Sequence, residues 1–174
     1  GMQHGNTERI LKGWDMLEED IKRITSFVKE FLDFAKGRTP RVTLIDPNRP
    51  ARKVVSLFRE TARLKGITIL EDIQEEMPYA LMDEEAIHTC LANLVSNALD
   101  ACEISDKANR SVTLTTRNKD GKLVYEVVDD GAGMDYEIKK KIFTNFFSTK
   151  GAEKGTGLGL LTTRKIVQEH GGKV

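Results

Sequence analysis

Three short segments in a fixed order constrain this chain more than any other feature of its sequence. Residues 93–98 read Asn-Leu-Val-Ser-Asn-Ala, residues 129–133 read Asp-Asp-Gly-Ala-Gly, and residues 155–160 read Gly-Thr-Gly-Leu-Gly-Leu. They supply amide side chains, a carboxylate beside a glycine turn, and bare backbone N–H groups at the start of a helix. A fold that brings them together can hold the metal, the ring amine and the phosphates of a nucleotide, so the sequence predicts an ATP site.

The two asparagines of the first segment lie on one predicted helix. Asn93 and Asn97 are four residues apart, so their side chains project from the same face. Amide oxygens are hard, neutral ligands, and Mg²⁺ on a triphosphate takes one or two protein ligands while it keeps waters and phosphate oxygens. For an isolated pair, the alternative is polar packing of a helix against a strand. The other two segments favour the ligand role.

The second and third segments suit the base and the phosphates. Asp129 ends a predicted strand and leads into Gly131 and Gly133, where a planar ring can approach the backbone. Its carboxylate can accept a hydrogen bond from the exocyclic amine of adenine, whereas Asp130 is interpreted as part of a solvated turn. The glycines of 155–159 open a helix and predict an anion site. The spacing of a Walker loop is missing, and a dinucleotide-binding fold is poorly supported.

The remaining pattern predicts an α+β domain behind a long helix. From Ile10 to Ala35 the apolar residues recur in steps of four and three, the a/d repeat of a coiled coil or helical bundle. Additional apolar flanks favour a four-helix bundle over a core helix of one globular domain. Gly37 and Pro40 end this helix. We then expect helices at about 50–65, from Asp83 onward, at 136–142 and at 158–170, and strands at 67–73, 111–116 and 122–128.

Charge and cysteine usage limit the partners and the compartment. Lys+Arg and Asp+Glu number 27 each, so bulk charge does not favour nucleic acid or an anionic membrane. Cys90 and Cys102 lie on one predicted helix at a separation of roughly 18 Å, too far to form a disulfide. No apolar run reaches the roughly 20 residues of a membrane span. We therefore expect a cytoplasmic location, with any membrane attachment carried by segments outside this sequence.

Four stretches resemble the N, G1, F and G2 boxes of the sensor histidine kinases, namely residues 93–101, 129–133, 142–150 and 155–160. That family belongs to the GHKL superfamily, which also includes type II topoisomerases, MutL proteins and a heat-shock chaperone. The long helix resembles the second helix of the kinases' dimerisation and phosphotransfer domain. The resemblance implies that 1–38 is part of that domain. It implies that 39–174 is a C-terminally truncated ATP-binding domain, a two-layer sandwich with a mixed sheet and helices on one face.

The resemblance also implies a role for each box. Asn97 resembles the Mg²⁺ ligand, Asn93 a phosphate-side contact and Asp129 the adenine acceptor. Phe143 and Lys150 would belong to a lid over ATP. The implied catalytic residues are Asn93, Asn97 and Lys150, and the implied cofactor-binding residues are these three with Asp129, Gly131, Gly133, Phe143, Gly155, Thr156, Gly157, Leu158 and Gly159.

The residue at position 93 indicates whether hydrolysis or phosphoryl transfer, both found in the superfamily, is the expected reaction. Hydrolytic members generally carry a Glu one turn before the metal-binding Asn, and the amide of Asn93 cannot act as a base. Phosphoryl transfer to an imidazole is therefore favoured, with Mg²⁺ and Lys150 meeting the developing charge. A hydrolytic ATPase that switches conformation is the first alternative. A dimerisation module that needs no nucleotide is the second.

The histidine that would accept the phosphoryl group is missing from the expected place. In the family it lies on the first bundle helix, and His4 precedes the predicted helix, while His88 and His170 are explained structurally, the latter by a helix dipole. We expect the chain to bind Mg-ATP without phosphorylating itself. The implied partners are a second copy, through the helical bundle of the parent protein, and the receiver domain of a response regulator.

Overall fold

A computed structural model of the chain describes residues 2–36, 39–144, 147 and 156–174. The chain divides into two compact units, Gly1–Arg38 and Thr39–Val174. Unit 1 is one helix, α1 (Met2–Lys36), which begins before Ile10, where the predicted repeat starts. No helix in the described ranges is both long enough and apolar enough to cross a bilayer.

The apolar repeat of α1 forms an exposed stripe along the helix. The rings of Phe27 and Phe31 stack on each other with their centroids 6.4 Å apart. An apolar stripe of this length is typical of a helix that packs in a larger assembly. Seven residues at the predicted a and d positions are 41% to 70% exposed: Ile10, Trp14, Leu17, Ile21, Ile24, Val28 and Phe31.

Unit 2 is an α/β sandwich, which confirms the predicted fold class. Its mixed sheet has the order β2-β4-β5, with β2 parallel and β5 antiparallel to β4. A separate antiparallel ladder joins β1 to β3. The strands are β1 (Thr43–Ile45), β2 (Ile67–Ile73), β3 (Ala80–Met82), β4 (Arg110–Lys119) and β5 (Lys122–Asp129), and the helices are α2 (Asn48–Leu64), α3 (Glu84–Glu103), α4 (Tyr136–Lys141) and α5 (Gly159–Glu169).

The core lies between the sheet and the helices α2 and α3. Strand β4 turns alternate side chains inward, as a half-buried strand requires, and these are Val112, Leu114 and Thr116. The helices contribute Val54, Val55, Ala62, Leu91, Val95 and Leu99 to the same cluster.

Local signals in the sequence explain how several elements begin and end. Asp83 caps α3, because its Oδ1 accepts the Ala86 N–H at 3.0 Å. Gly66 ends α2 with a φ of +65°, a conformation that favours glycine. The β4–β5 hairpin turns at Asp120 and Gly121, where both φ values are positive, as a type I′ turn requires.

Candidate functional site

Helix α3 carries a line of residues that organises the candidate site. Asn93, Asn97 and Ala101 are spaced by four, so they stack along one face of the helix. Asn93 contacts the start of α5, and Ala101 contacts the turn that follows β5. Asn97 is half-buried and lies one helical turn from each of these contacts. The three predicted segments therefore meet on one helix.

Asn93 holds the start of α5 against α3. Its Nδ2 donates to the carbonyl oxygen of Gly159 at 3.0 Å and lies 3.5 Å from the Thr163 hydroxyl. The Thr163 hydroxyl donates to the same Gly159 carbonyl at 3.0 Å. The Asn93 amide thus has a protein partner on its nitrogen, which the interpretation as a phosphate-side contact did not include.

The described part of the glycine segment is a turn that runs into α5. Gly157 has a φ of +68°, and the Leu158 N–H donates to the Thr156 hydroxyl at 3.3 Å. Leu158 as a whole residue is 1% exposed and belongs to the interior, and its contact with a nucleotide stays a prediction. Gly155 and Lys150 lie outside the described residues.

The two glycines after Asp129 have different roles. A Cβ on Gly131 would lie 2.5 Å from the carbonyl carbon of Ala101 and 2.7 Å from its oxygen, so only glycine fits against α3. The Ala132 N–H donates to that Ala101 oxygen at 3.1 Å. Gly133 has a φ of +73°, and a Cβ there would meet open space. Gly131 therefore packs the turn on the helix, and Gly133 keeps its outer side open.

Asp129 stands at the outer edge of this turn. Its side chain is exposed, and its Oδ1 accepts the Gly131 N–H at 3.0 Å. The bond sets the direction of the carboxylate, and the strand delivers it beside the open glycine. This is the arrangement that the sequence predicts for an acceptor of a ring amine.

Asp130 anchors the turn and is not simply solvated. Its Oδ1 accepts the Ser111 N–H at 2.9 Å, and its Oδ2 accepts the Ser111 hydroxyl at 3.0 Å. The Lys107 ammonium donates to its carbonyl oxygen at 2.6 Å. The hydrogen bond from the Ser111 backbone is the main cause that lowers the pKa of Asp130. The interpretation of Asp130 as a solvated turn residue did not include this anchoring role.

Two buried thiols support the contacts of α3. The Cys90 thiol donates to the carbonyl of Thr163 at 3.7 Å, and burial raises its pKa to about 12. The Cys102 thiol lies 3.5 Å from the Ser111 carbonyl oxygen and 3.7 Å from Asp130 Oδ1. Neither cysteine forms a disulfide. Both act as weak donors, one under α5 and one under the turn.

The donor chemistry fits a magnesium ion held mainly by phosphates. The described residues contain no group of three or more His, Cys, Asp and Glu side chains that could hold a metal. Mg²⁺ in such sites takes only one or two protein ligands, and Asn97 offers one neutral amide oxygen at the centre of the site. Phe143, after α4, is half-buried, and its place in a lid stays a prediction.

Comparison with known proteins identifies the family. Residues 82–174 match the family described as histidine kinase-, DNA gyrase B-, and HSP90-like ATPase. Sporulation kinase E of Bacillus subtilis (strain 168) is 27% identical over 161 residues, which are 92% of this chain and 21% of that protein. The chain therefore spans about a fifth of that relative's length.

Solved structures, among them that of the histidine kinase ThkA, share the fold. Full-length ShkA in complex with AMPPNP superimposes with a TM-score of 0.74 at 26% identity, covering 98% of this chain and 35% of ShkA. ThkA in complex with the response regulator protein TrrA gives a TM-score of 0.72 at 29% identity, covering 91% of this chain and 44% of ThkA. The family match includes α3, β4, β5, α4 and α5 and more than half of the chain. The chain thus belongs to the histidine kinase-, DNA gyrase B- and HSP90-like ATPase family, as an ATP-binding catalytic domain of the histidine kinase type.

Proposed function

We propose that this chain positions Mg-ATP for transfer of its γ-phosphoryl group to a histidine on a bundle helix, from which the group passes to a response regulator. The observation that carries the proposal is the convergence on α3, where Asn93 contacts the glycine segment and Ala101 contacts the Asp129 turn. The bound AMPPNP in ShkA and the bound TrrA in ThkA support the nucleotide and the partner, respectively.

In this proposal ATP lies along the face of α3 that carries Asn93, Asn97 and Ala101, with its adenine near Ala101 and its phosphates near Asn93. The Asp129 carboxylate accepts from the adenine amine, and the open backbone at Gly133 admits the ring. Residues 156–159 face the phosphates with the start of α5, because the N-terminal end of a helix favours anions. When Mg²⁺ is bound at Asn97, it neutralises part of the phosphate charge.

Transfer is favoured over hydrolysis by the chemistry of position 93. The Asn93 amide cannot remove a proton from water, and its nitrogen donates to the Gly159 carbonyl. Phosphoryl transfer needs positioning and charge neutralisation from the protein more than acid–base chemistry. A site that orients ATP without activating water suits transfer to another group.

The remaining parts of the proposal concern segments beyond the described site. We propose that Lys150, Phe143 and Gly155 belong to a lid over the phosphates, as the family resemblance implies. The assignment of residues 1–38 to a dimerisation and phosphotransfer domain is supported by the exposed apolar stripe of α1. A cytoplasmic location also stays a prediction.

The test is a transfer assay with ATP labelled at the γ-phosphate. The chain is incubated with Mg²⁺ and the helical bundle of its parent protein, which supplies the acceptor histidine. We expect acid-labile, alkali-stable label on the bundle, and no label on the chain alone. Asn97→Ala should abolish transfer, whereas Asn118→Ala, at the far end of β4, should leave it unchanged.

The same assay separates the hydrolytic alternative. A free-phosphate measurement follows the chain without the bundle. Release of phosphate at a rate that exceeds transfer, and that Asn93→Ala abolishes, would contradict the proposal. It would indicate a hydrolytic ATPase that switches conformation.

A further inference from the structure

A histidine fastens the C-terminal end of α5. In His170, Nδ1 lies 2.7 Å from the carbonyl oxygen of Ile166, and Nε2 lies 3.0 Å from the backbone nitrogen of Asp83. A carbonyl can only accept a hydrogen bond, and a backbone N–H can only donate one. The ring is therefore neutral, with its proton on Nδ1 and its acceptor lone pair on Nε2. A role through the helix dipole, which requires a charged ring, does not fit this geometry.

The partner of His170 is itself fixed in place. Asp83 is 2% exposed, and its two carboxylate oxygens accept different backbone N–H groups. Oδ1 accepts that of Ala86 at 3.0 Å, in the first turn of α3, and Oδ2 accepts that of Arg41 at 2.7 Å. Asp83 cannot shift without moving the start of α3. His170 thus attaches α5 to a rigid point.

The two ends of α5 rest on two points of α3. Gly159 is held by Asn93, and His170 is held by Asp83. The ten residues from 83 to 93 span about 15 Å, and the eleven from 159 to 170 span about 16 Å, so the helices lie antiparallel with matched attachments. Asn93 and the Cys90 thiol hold the first half of α5, and His170 adds a fixed point at its C-terminal end that limits any change in the direction of the helix.

We propose that His170 is a positioning residue for nucleotide binding. Its neutral Nδ1–H form fixes the direction of α5 and thereby the placement of residues 156–159 toward the phosphates. The inference rests on the proposed function, since it requires a nucleotide at the glycine segment. His170 lies about 16 Å from that segment along the helix and acts through α5, without touching the nucleotide.

Two substitutions at His170 separate its two nitrogens. In His170→Gln the amide oxygen can take the place of Nε2 and accept the Asp83 N–H. In His170→Asn the shorter amide can replace only the Nδ1 donor, and the acceptor is lost. The Ile166 carbonyl also accepts the His170 backbone N–H at 3.1 Å, so it stays paired in both variants. The pair therefore separates the two contacts, because Gln keeps the Asp83 contact and Asn keeps the Ile166 contact.

The readout is titration of the 174-residue chain with a fluorescent ATP analogue in the presence of Mg²⁺. We expect His170→Asn to weaken binding about threefold to tenfold, the effect of one lost hydrogen bond, and His170→Gln to restore most of it. Thermal unfolding identifies any loss of fold. In the wild-type chain, long-range ¹H–¹⁵N NMR should show Nδ1 protonated and Nε2 unprotonated.

The outcomes distinguish this inference from the function on which it rests. Wild-type binding that His170→Asn leaves unchanged, or a ring protonated on Nε2, would overturn the inference alone. A folded wild-type chain that does not bind the probe would overturn both. Equal loss of binding in the Gln and Asn variants would also contradict a role for the Asp83 contact.

Discussion

Two adjacent carboxylates, Asp129 and Asp130, differ in exposure and in their hydrogen-bond partners. Asp129 is exposed at the outer edge of its turn, and Asp130 points back to Ser111 at the start of β4. Three donors hold the Asp130 carboxylate: the Ser111 N–H, the Ser111 hydroxyl and the Cys102 thiol. The position of Asp129 therefore depends on the charge of its neighbour.

Asp130→Asn should lower the stability of the chain at neutral pH. The pKa of Asp130 is lowered in the folded chain, chiefly by the Ser111 backbone bond, so its ionised form stabilises the fold. This contribution is complete above about pH 5 and is lost as the pH falls through the lowered pKa. Urea unfolding over this pH range should show that the difference in free energy of unfolding between the wild type and Asp130→Asn disappears at low pH. Asp120→Asn is the control. A difference in stability between the wild type and Asp130→Asn that does not change with pH would contradict this account.

Alanine substitutions at the two turn glycines should have unequal effects. Gly131→Ala places a methyl group 2.5 Å from the Ala101 backbone, which cannot swing aside, and should cost about 2 to 3 kcal/mol. Gly133→Ala meets open space and should cost about 1 kcal/mol, from its positive φ alone. Denaturant unfolding measures both. Equal costs would argue against close packing of the turn on α3.

Sequence spacing predicted the place of residues within their own elements. Asn93 and Asn97 lie on one helix face, and Asp129 ends a strand, as expected. The anchoring role of Asp130 was not predicted because its partner, Ser111, lies on strand β4. The local sequence pattern does not indicate such a hydrogen bond. His170 was assigned to a dipole because its acceptor role depends on Asp83, 87 positions earlier.

At the scale of elements, the start of α3 is a junction of three segments. Asp83 caps the helix, accepts the Arg41 N–H and donates its own N–H to His170. Its side chain is buried, so these bonds are protected from water. The cap therefore fixes α3 and α5 together.

Asp83→Ala should destabilise the chain by about 2 to 4 kcal/mol, because two backbone N–H groups lose charged acceptors in a buried place. Asp135→Ala is the matched control. Asp135 also caps a helix, with its Oδ1 accepting the Ile138 N–H at 2.8 Å, but it is exposed and α4 is short. We expect its loss to cost no more than about 1 kcal/mol. Similar losses in chemical denaturation would contradict the junction role.

The longer elements and the short helix α4 were predicted, whereas the two three-residue strands were missed. The helix capped by Asp83, strand β2 and the β4–β5 hairpin follow the predicted pattern. Strands β1 and β3 have three residues each, too few to show a period of two. They form because each pairs with the other across the fold, at Leu44 and Leu81 for example, and not from local preference.

At the scale of the whole molecule, the two units differ in whether their apolar side chains are buried. Residues 39–174 enclose a core, whereas α1 leaves its apolar stripe exposed. We expect the full chain to self-associate through α1 and residues 39–174 to be monomeric. Sedimentation velocity of both, with Trp14→Glu as a third sample, measures this. Equal self-association with and without α1 would refute the expectation.

The central claim is that α3 assembles an ATP site from three segments, and calorimetric titration tests it most directly. ATP with Mg²⁺ is titrated into the wild-type chain, Asp129→Asn, Asn97→Ala and the control Glu126→Gln. We predict that the wild type and the control bind ATP and that Asp129→Asn binds it at least about tenfold more weakly. Asn97→Ala should weaken ATP binding only when Mg²⁺ is present. Wild-type affinity in both site variants, or no binding by a folded wild-type chain, would contradict the claim.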